Sequence, residues 1–346
     1  MPFPRLIPEF ASQSGVLITW PHPDSDWQDT LADVEPVYLA ITRAISRYEP
    51  VLVICYDDRH IRHVSNLLEQ AGACAHTVRT VAVCTNDTWM RDYGPLSVTG
   101  SNGTRLLDFM FNGWGGKHES RRDNQVSRGL FDAGVFSVPE LTQQSLVLEG
   151  GAIDTDGFGT LLTTSLCLLQ SARNPGMDKA ALEACFHEQL GIERTLWLDH
   201  GMLQGDDTDG HVDMLARFCT AHDIAYLQCT DPDDVHYREL SAMEQQLRDF
   251  IAHDGTPYSL QPLPMPQAIY SDSGERLPAS YANFLIINHA VLVPVYNDPA
   301  DQQALDVLQR CFPDRELIAI NCLPLIQQYG SLHCATMQLP EGVLQF

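Results

Sequence analysis

The chain has few basic residues and no long hydrophobic run. It carries 21 Lys and Arg against 45 Asp and Glu, which gives a formal net charge of −24 at pH 7 over 346 residues. Because nucleic acids and anionic membrane surfaces attract basic faces, this balance argues against both kinds of partner. No stretch approaches the roughly 20 apolar residues that span a bilayer. The excess of acidic side chains instead suits a small cationic ligand.

Signs of export or of a cysteine-based metal site are also lacking. The ten cysteines include no C-x-x-C pair, which is the spacing of zinc ribbons and thioredoxin-like sites. Residues 1–10 are interrupted by prolines and lack the apolar core of a signal peptide. We therefore expect a cytoplasmic protein with reduced thiols, in which one reactive cysteine stands among structural ones.

No linker rich in Ser, Gly or Pro divides the chain, and no internal repeat is evident. Apolar runs typical of buried strands alternate with amphipathic helical patterns, which predicts a single α/β domain over residues 1–346. The predicted strands are 51–56, 105–111, 160–164, 195–198, 212–218, 225–229, 283–288, 291–295, 317–320 and 332–337, and the predicted helices are about 30–48, 57–68, 179–190, 235–253 and 299–312. Loops that follow several strands can converge on one site.

Four segments combine charged or reactive side chains with glycine, which lets a backbone approach a ligand closely. They are residues 85–95, 148–151, 206–213 and 330–334. In the first, Asp87 and Asp92 flank Trp89, and a tryptophan beside a carboxylate suits a cation through charge and cation–π attraction. A place in the core explains Trp89 equally well. Glu149 follows an apolar run, at a strand end where ligands often bind, and a surface charge is the alternative.

The third segment places His211 and Asp213 two residues apart. On a strand, both side chains would point to the same face. Such a pair suits acid–base chemistry, a metal site completed by Asp206, Asp207 and Asp209, or a structural hydrogen bond, and spacing alone favours the last. The order of the acids does not match an EF-hand loop.

The fourth segment ends in His333 and Cys334. Adjacent residues of a strand face opposite ways, so His333 is a poor candidate base for Cys334. A base must then come from elsewhere in the fold, and His211 is the natural choice.

Segments spread through most of the chain carry a family resemblance. They are Trp20-Pro21, Trp27, and residues 86–95, 148–151, 173–175, 210–213, 279–284 and 333–334. Their content and order resemble the agmatine deiminase family and its bacterial peptidylarginine deiminase relatives. One segment departs from the family pattern, because residues 328–331 read Gln-Tyr-Gly-Ser where the family has Gly-Gly-Gly-Asn. The larger side chains are expected to narrow or reshape the pocket.

The resemblance implies a pentein fold, an α/β propeller of five blades with pseudo-fivefold symmetry and a site in its central channel. It implies hydrolysis of agmatine, a cationic guanidino substrate, to N-carbamoylputrescine and ammonia, without cofactor or metal, by a homodimer. It also implies residue roles: Cys334 as nucleophile, His211 as general acid and base, Asp92 and Asp213 as holders of the guanidinium, Glu149 as a further holder that orients His211, and Trp89 and Asp87 as substrate contacts.

These residue types suit a guanidinium, which is planar and charged at any physiological pH. Carboxylates pair with its N–H groups through charge-assisted hydrogen bonds. A cysteine thiol is a few per cent ionised near neutral pH, and a bound cation favours the thiolate. A histidine whose pKa is near the working pH can serve both half-reactions.

Other interpretations of the sequence remain open at this stage. The same chemistry could act on peptidyl-arginine or on another guanidine. A pentein that binds its ligand without catalysis is a second alternative, and a metal-dependent hydrolase built on His211 and the nearby aspartates is a third.

Overall fold

A computed structural model describes residues 4–73, 76–101 and 103–346 as a mixed α/β fold. Its strands are β1 (Arg5–Leu6), β2 (Gln13–Thr19), β3 (Val51–Cys55), β4 (Val78–Ala82), β5 (Leu96–Gly100), β6 (Gly103–Met110), β7 (Leu141–Val147), β8 (Ile153–Thr155), β9 (Thr160–Thr164), β10 (Arg194–Leu198), β11 (Ala216–Phe218), β12 (Asp223–Gln228), β13 (Ser259–Pro264), β14 (Leu285–Ile287), β15 (Ala290–Val295), β16 (Glu316–Asn321) and β17 (Thr336–Pro340). Its helices are α1 (Leu31–Ile45), α2 (Asp58–Gln70), α3 (Met90–Tyr93), α4 (Gly113–Gly116), α5 (Val126–Asp132), α6 (Ser165–Leu168), α7 (Lys179–Leu190), α8 (Tyr237–Asp249), α9 (Asp301–Cys311) and α10 (Leu323–Ile326).

The strands form five sheets of three or four strands, and all five repeat one pattern. In each sheet a middle strand pairs antiparallel with the strand before it and parallel with the strand after it: β5-β6-β7, β8-β9-β10, β11-β12-β13, β14-β15-β16 and, closing the chain on its beginning, β17-β2-β3. Each parallel pair is joined by a connection that contains at least one helix, as a parallel connection requires.

Helix α1 shows how the helices are held on the sheets. Its residues Val34, Tyr38, Ile41 and Ile45 recur every three or four positions and are all buried. Burying a side chain of this size stabilises the fold by about 1.5–3 kcal/mol, so the apolar face outweighs the Pro36 inside the helix.

Most predicted elements are confirmed, with shifts of a few residues at their ends. The strand over 160–164 is confirmed at both ends, and the helix over 179–190 is α7. The nine described cysteines are free thiols, whereas Cys74 lies outside the described residues. Within those residues, no helix has the length and apolar character that membrane crossing requires.

Two strand predictions are wrong at the points that matter for the site. Residues Val212–Met214 form a 3-10 turn, and the strand begins only at Ala216. Residues 332–335 also turn, because Ala335 N donates to Ser331 O and Thr336 N to His333 O, at 3.3 and 3.0 Å. Strand alternation therefore does not govern the direction of the side chains in either segment.

Candidate active site

Five short segments supply the polar residues of one buried site, and each lies just before the first strand of the antiparallel pair in a different sheet. They are α3, the 3-10 turns Gly150–Ala152 and Val212–Met214, and residues 279–284 and 330–335. Each contributes at or beside its turn a polar group that is at most 5% exposed: Asp92, Glu149, His211 with Asp213, Asn283 and Cys334. The fold thus brings together residues that lie far apart in sequence.

Gly151 lies where three of these side chains meet. A Cβ atom added there would lie 2.6 Å from Nδ1 of His211, 2.8 Å from Oδ1 of Asp92 and 3.1 Å from Oδ2 of Asp213. A glycine is needed because any side chain would occupy the space that these polar atoms face. The imidazole predicted as acid and base therefore lies next to both carboxylates predicted to hold the guanidinium.

The thiol of Cys334 is buried beside an amide and an acid. Its Sγ lies 3.2 Å from Nδ2 of Asn283 and 3.6 Å from Oδ2 of Asp213. Burial, with the charges of Asp213 and Asp92, raises the pKa of this thiol well above its ordinary value. Attack through sulfur therefore requires a nearby cation or a proton acceptor.

His211 is fully buried, and neither ring nitrogen makes a hydrogen bond within the described residues. The nearest acid is Asp92, whose Oδ1 is 3.5 Å from Nδ1. Burial lowers the pKa of His211 to about 3, so the imidazole is neutral at pH 7. A pKa near the working pH was expected from the sequence, and the protein without substrate does not have it. Unpartnered polar atoms at this depth indicate a ligand site, because buried polar groups are otherwise paired.

The two acids predicted to hold the guanidinium have opposite protonation tendencies. Burial, and next the charge of Asp213, raises the pKa of Asp92 well above its ordinary value, although Trp114 Nε1 and Gly151 N donate to it at 2.9 and 3.0 Å. Burial works against ionisation of Asp213 too, but the hydrogen bond with His333, 2.8 Å from Nδ1 to Oδ2, helps hold its pKa below the ordinary value. One acid is therefore charged and its neighbour accepts a proton until a cation arrives.

Glu149 occupies the predicted place but makes a different contact. Both of its oxygens accept from Nε of Arg173, at 2.8 and 3.1 Å, and it makes no hydrogen bond with His211 within the described residues. Burial raises the pKa of Glu149, and Arg173 counteracts that rise. Glu149 thus anchors the loop that carries Arg173 while it lies next to the imidazole.

Two sets of residues offer metal-ligand chemistry. Glu149, Cys167 and His211 present ligand atoms within 4.8 Å of one another, but the Arg173 guanidinium on Glu149 opposes a cation there. In the acidic turn, the carboxylate of Asp206 accepts from Thr208 N and Oγ1 at 2.9 and 2.6 Å and also from Gly210 N. Because that carboxylate closes its own turn, the arrangement gives the predicted alternative of a metal-dependent hydrolase little support.

A cavity of about 480 Å³ leads to the thiol, and its wall is acidic and aromatic. Its lining includes Cys334 and Asp92 together with Trp89, Trp114, Asp26, Asp87, His118 and Asp207. Gly330 packs on the indole of Trp89, since a Cβ there would lie 2.4 Å from the ring. This contact explains why one glycine remains in a segment that otherwise departs from the family pattern.

Asp87, one of the acids that line the cavity, makes the stability of the protein pH-dependent. Burial raises the pKa of Asp87 to about 6, against about 3.9 for a free aspartate. The folded state therefore binds this proton more tightly, and the resulting stability is complete below about pH 4 and is lost as the pH rises through about 6. The free energy of unfolding of the wild type, measured in urea, should decrease between pH 4 and pH 8. We expect Asp87→Asn to remove up to about 3 kcal/mol of that decrease. The exposed Asp24→Asn is the control, and an unchanged decrease in Asp87→Asn would contradict the assignment.

Sequence reasoning missed several residues of the site. Asn283 lies in a segment that only the family resemblance indicated, and Trp114, the donor to Asp92, lies in a Gly-Trp-Gly-Gly turn that no prediction included. The three glycines around Trp114 were a usable signal, because clustered glycine marks a tight turn. In the structure Trp114 itself has φ +54°, which is uncommon outside glycine.

Comparison with known proteins places the chain in a family. The sequence profile of the Porphyromonas-type peptidyl-arginine deiminases matches residues 5–340. An agmatine deiminase of Stutzerimonas stutzeri is 30% identical over 96% of this chain and 94% of its own. A crystal structure from Porphyromonas gingivalis, provisionally named an arginine deiminase, is 46% identical with a TM-score of 0.93 and covers 99% of this chain and 100% of its own.

A substrate-bound structure belongs to the same set. The C. jejuni agmatine deiminase, crystallised as a cysteine-to-serine variant, is 33% identical with a TM-score of 0.91, over 99% of this chain and 98% of its own. These matches confirm the resemblance that the scattered segments indicated. The chain belongs to the Porphyromonas-type peptidyl-arginine deiminase family and is a relative of the agmatine deiminases.

Proposed function

We propose that the protein is an agmatine deiminase, a cysteine-dependent C–N hydrolase that converts agmatine or a similar alkylguanidine and water to N-carbamoylputrescine and ammonia. The observation that carries the proposal is the meeting of a buried thiol, two carboxylates and an imidazole that has no hydrogen bond among the described residues, below an acidic cavity. A cation with several N–H groups satisfies all of these acceptors at once.

Binding of the guanidinium prepares the site for chemistry. Asp213 Oδ1 is buried without a hydrogen bond among the described residues, and Asp92 carries a raised pKa. A guanidinium between them favours the charged form of Asp92 and relieves the repulsion of the two acids. The same positive charge favours the thiolate of Cys334.

The reaction can then proceed in two halves with one histidine. The thiolate of Cys334 attacks the guanidinium carbon, and His211, which has taken the thiol proton, gives it to the departing ammonia, leaving a covalent thiouronium. His211 next takes a proton from the attacking water. Collapse of the tetrahedral adduct forms the carbamoyl C=O bond, breaks the C–S bond and returns the hydroxyl proton to sulfur, and His211 then releases its proton to solvent. The product is neutral and no longer pairs with the carboxylates, which favours its release.

The cavity wall suits an amine at the far end of the substrate. Its lining includes three acids and an indole, from Asp26, Asp87, Asp207 and Trp89. A histidine, His118, also lines the cavity, and its Nε2 lies 2.6 Å from Oδ2 of Asp207. Acids and an aromatic face attract an ammonium group and repel the α-carboxylate of free arginine. A peptide main chain is neutral and would gain little from these charges, so peptidyl-arginine is the weaker candidate.

We also propose the architecture and setting that the resemblance implies. The five sheets with one repeated pattern are the five blades of a pentein propeller, and residues 1–346 are one catalytic domain. The reaction needs no metal or cofactor. The protein acts as a cytoplasmic homodimer in putrescine biosynthesis, without nucleic-acid or membrane partners.

A substrate panel tests the proposed activity. The purified protein is offered agmatine, free arginine and an arginine peptide, and ammonia release is followed. We expect release from agmatine at a kcat/KM at least about tenfold above that for arginine, because an acidic wall disfavours the carboxylate by about 1.4 kcal/mol or more. If none of the three yields ammonia, the non-catalytic binding protein becomes the better interpretation.

Asp92→Asn is expected to weaken substrate capture more than it weakens the fold. The change removes a charge that faces the guanidinium, so kcat/KM for agmatine should fall about 100-fold or more, because a charge-assisted hydrogen bond contributes about 1.5–3 kcal/mol and orients the substrate. The midpoint of thermal unfolding should move by only a few degrees, since burial already favours the uncharged form of Asp92 in the free protein. Unchanged turnover at low substrate concentration would remove Asp92 from the site.

A further inference from the structure

Glu9, in the loop between β1 and β2, contacts His333, a neighbour of the site that lies far away in sequence. His333 is fully buried between two carboxylates. Its Nδ1 lies 2.8 Å from Oδ2 of Asp213, and its Nε2 lies 2.9 and 3.0 Å from the two oxygens of Glu9. Asn283 Oδ1 accepts from the backbone N–H of His333 at 2.8 Å, which fixes the base of the side chain.

The hydrogen bonds of His333 require two protons on one ring. A neutral imidazole has one N–H and one lone pair, so it cannot donate to carboxylates on both sides. Glu9 cannot readily supply the missing proton, because burial is outweighed by Arg217 and Arg91 and its pKa lies well below the ordinary value. The arrangement is complete when His333 is an imidazolium that donates to both acids.

The surrounding charges agree with an imidazolium. Glu9 lies 2.9 Å from Nη1 of Arg91 and also accepts from Arg217, which in turn donates from Nε to Asp154 at 3.0 Å. Three acids and two arginines leave one negative charge uncompensated in a buried cluster, which is costly. A positive charge on His333 brings the net charge of the cluster to zero. The members of this cluster are Glu9, Asp154, Asp213, Arg91, Arg217 and His333.

We propose that Glu9 is a positioning residue that holds His333 as a hydrogen-bond donor to Oδ2 of Asp213, and so keeps Oδ1 of Asp213 directed at the guanidinium. The proposal rests on the proposed function for its kinetic consequences. Oδ2 is held by the imidazole while Oδ1 has no partner among the described residues. Glu9 itself touches none of the residues proposed to react.

The position of Glu9 separates its effect from substrate contact. Glu9, Arg91 and Gln338 line a second cavity of about 560 Å³. Among the described residues, none lines both this cavity and the cavity that leads to the thiol. A change at Glu9 can therefore reach the substrate only through the residues that Glu9 contacts, which include His333, Arg91 and Arg217.

Removing the charge of Glu9 should change the protonation of His333. Burial, Arg217 and Arg91 together hold the pKa of His333 below its ordinary value, although Glu9 and the hydrogen bond with Asp213 raise it. In Glu9→Gln the imidazolium therefore persists only at lower pH, and above that pH Asp213 has a weaker partner.

The kinetic test compares Glu9→Gln with Asp154→Asn as a matched control. Both changes neutralise an acid that binds Arg217, but only Glu9 touches His333. We expect Glu9→Gln to raise KM for agmatine at least about tenfold with kcat within about threefold, and to move the alkaline limb of kcat/KM to lower pH. Asp154→Asn should keep the wild-type KM and pH profile. An unaltered Glu9→Gln, or an Asp154→Asn with the same changes, would overturn the proposal.

A second measurement follows the protonation of His333 directly and does not depend on turnover. In protein labelled at histidine, the His333 resonance is identified by its loss in His333→Gln and titrated by NMR, and in Glu9→Gln it should titrate at lower pH than in the wild type.

His333→Gln keeps an N–H for Asp213 without a charge, so it should also raise KM at least about tenfold and lose the alkaline limb. An identical titration in a folded Glu9→Gln, or a wild-type pH profile in His333→Gln, contradicts the proposal. Lack of turnover by the wild type would defeat the proposed function and leave the titration as the test of Glu9.

Discussion

Cys334→Ser is expected to lose turnover of agmatine by at least about 1,000-fold while it still binds the substrate. An alcohol is far harder to ionise than a thiol, and burial together with the acids beside Cys334 already raises the pKa of the thiol. The two side chains differ by one atom, so the hydrogen bond from Nδ2 of Asn283, 3.2 Å from the sulfur, can persist and the fold should be spared. Ammonia release measures the loss, and calorimetric titration with agmatine measures the retained binding.

Cys167→Ala is the matched control for this prediction. Cys167 is a second buried thiol whose sulfur lies within 4.8 Å of ligand atoms of Glu149 and His211. Burial raises the pKa of Cys167 well above its ordinary value, as it does for Cys334. We expect this variant to keep activity within about tenfold, and the covalent adduct trapped from the wild type to carry its mass on Cys334. An active Cys334→Ser, or an adduct on Cys167, would defeat the nucleophile assignment.

The local pattern of the sequence was sufficient to predict much of the fold and the polar residues of the site. Alternation of apolar residues located the helix and strand at 179–190 and 160–164, because burial of one face acts over a few neighbouring residues. The glycine-containing segments located Asp92, Glu149 and Cys334, because a tight turn beside a ligand needs glycine at specific places. Both signals are local.

The contacts that could not be predicted join residues far apart in the chain. Glu9 lies 324 positions from His333, and no periodicity links an N-terminal loop to the last sheet. The pairing of Glu149 with Arg173 was missed for a related reason, since the resemblance supplied a role for Glu149 but no partner for its charge. Strand alternation failed at Asp213 and Cys334 because backbone hydrogen bonds close turns there.

Gly151→Ala is expected to reduce kcat/KM for agmatine about 100-fold or more without a comparable loss of stability. The added methyl group would lie 2.6 Å from Nδ1 of His211 and 2.8 Å from Oδ1 of Asp92, so at least one of these groups must move by several tenths of an ångström. Displacements of this size cost about 100-fold in rate when a group must lie in line with the reacting atoms. Gly151 is outside the left-handed backbone region, so alanine is not strained by its φ angle.

Gly100→Ala is the control for the Gly151 prediction, because the nearest atom to its added Cβ would be Cα of Pro4 at 3.9 Å, an ordinary contact. Both variants are assayed for ammonia release and for the midpoint of thermal unfolding. We expect Gly100→Ala to match the wild type in both, and Gly151→Ala to lose rate with a midpoint within a few degrees of it. If Gly151→Ala retained full activity, His211, Asp92 and Asp213 would not need their present arrangement, and the catalytic site would have to lie elsewhere in the cavity that leads to Cys334.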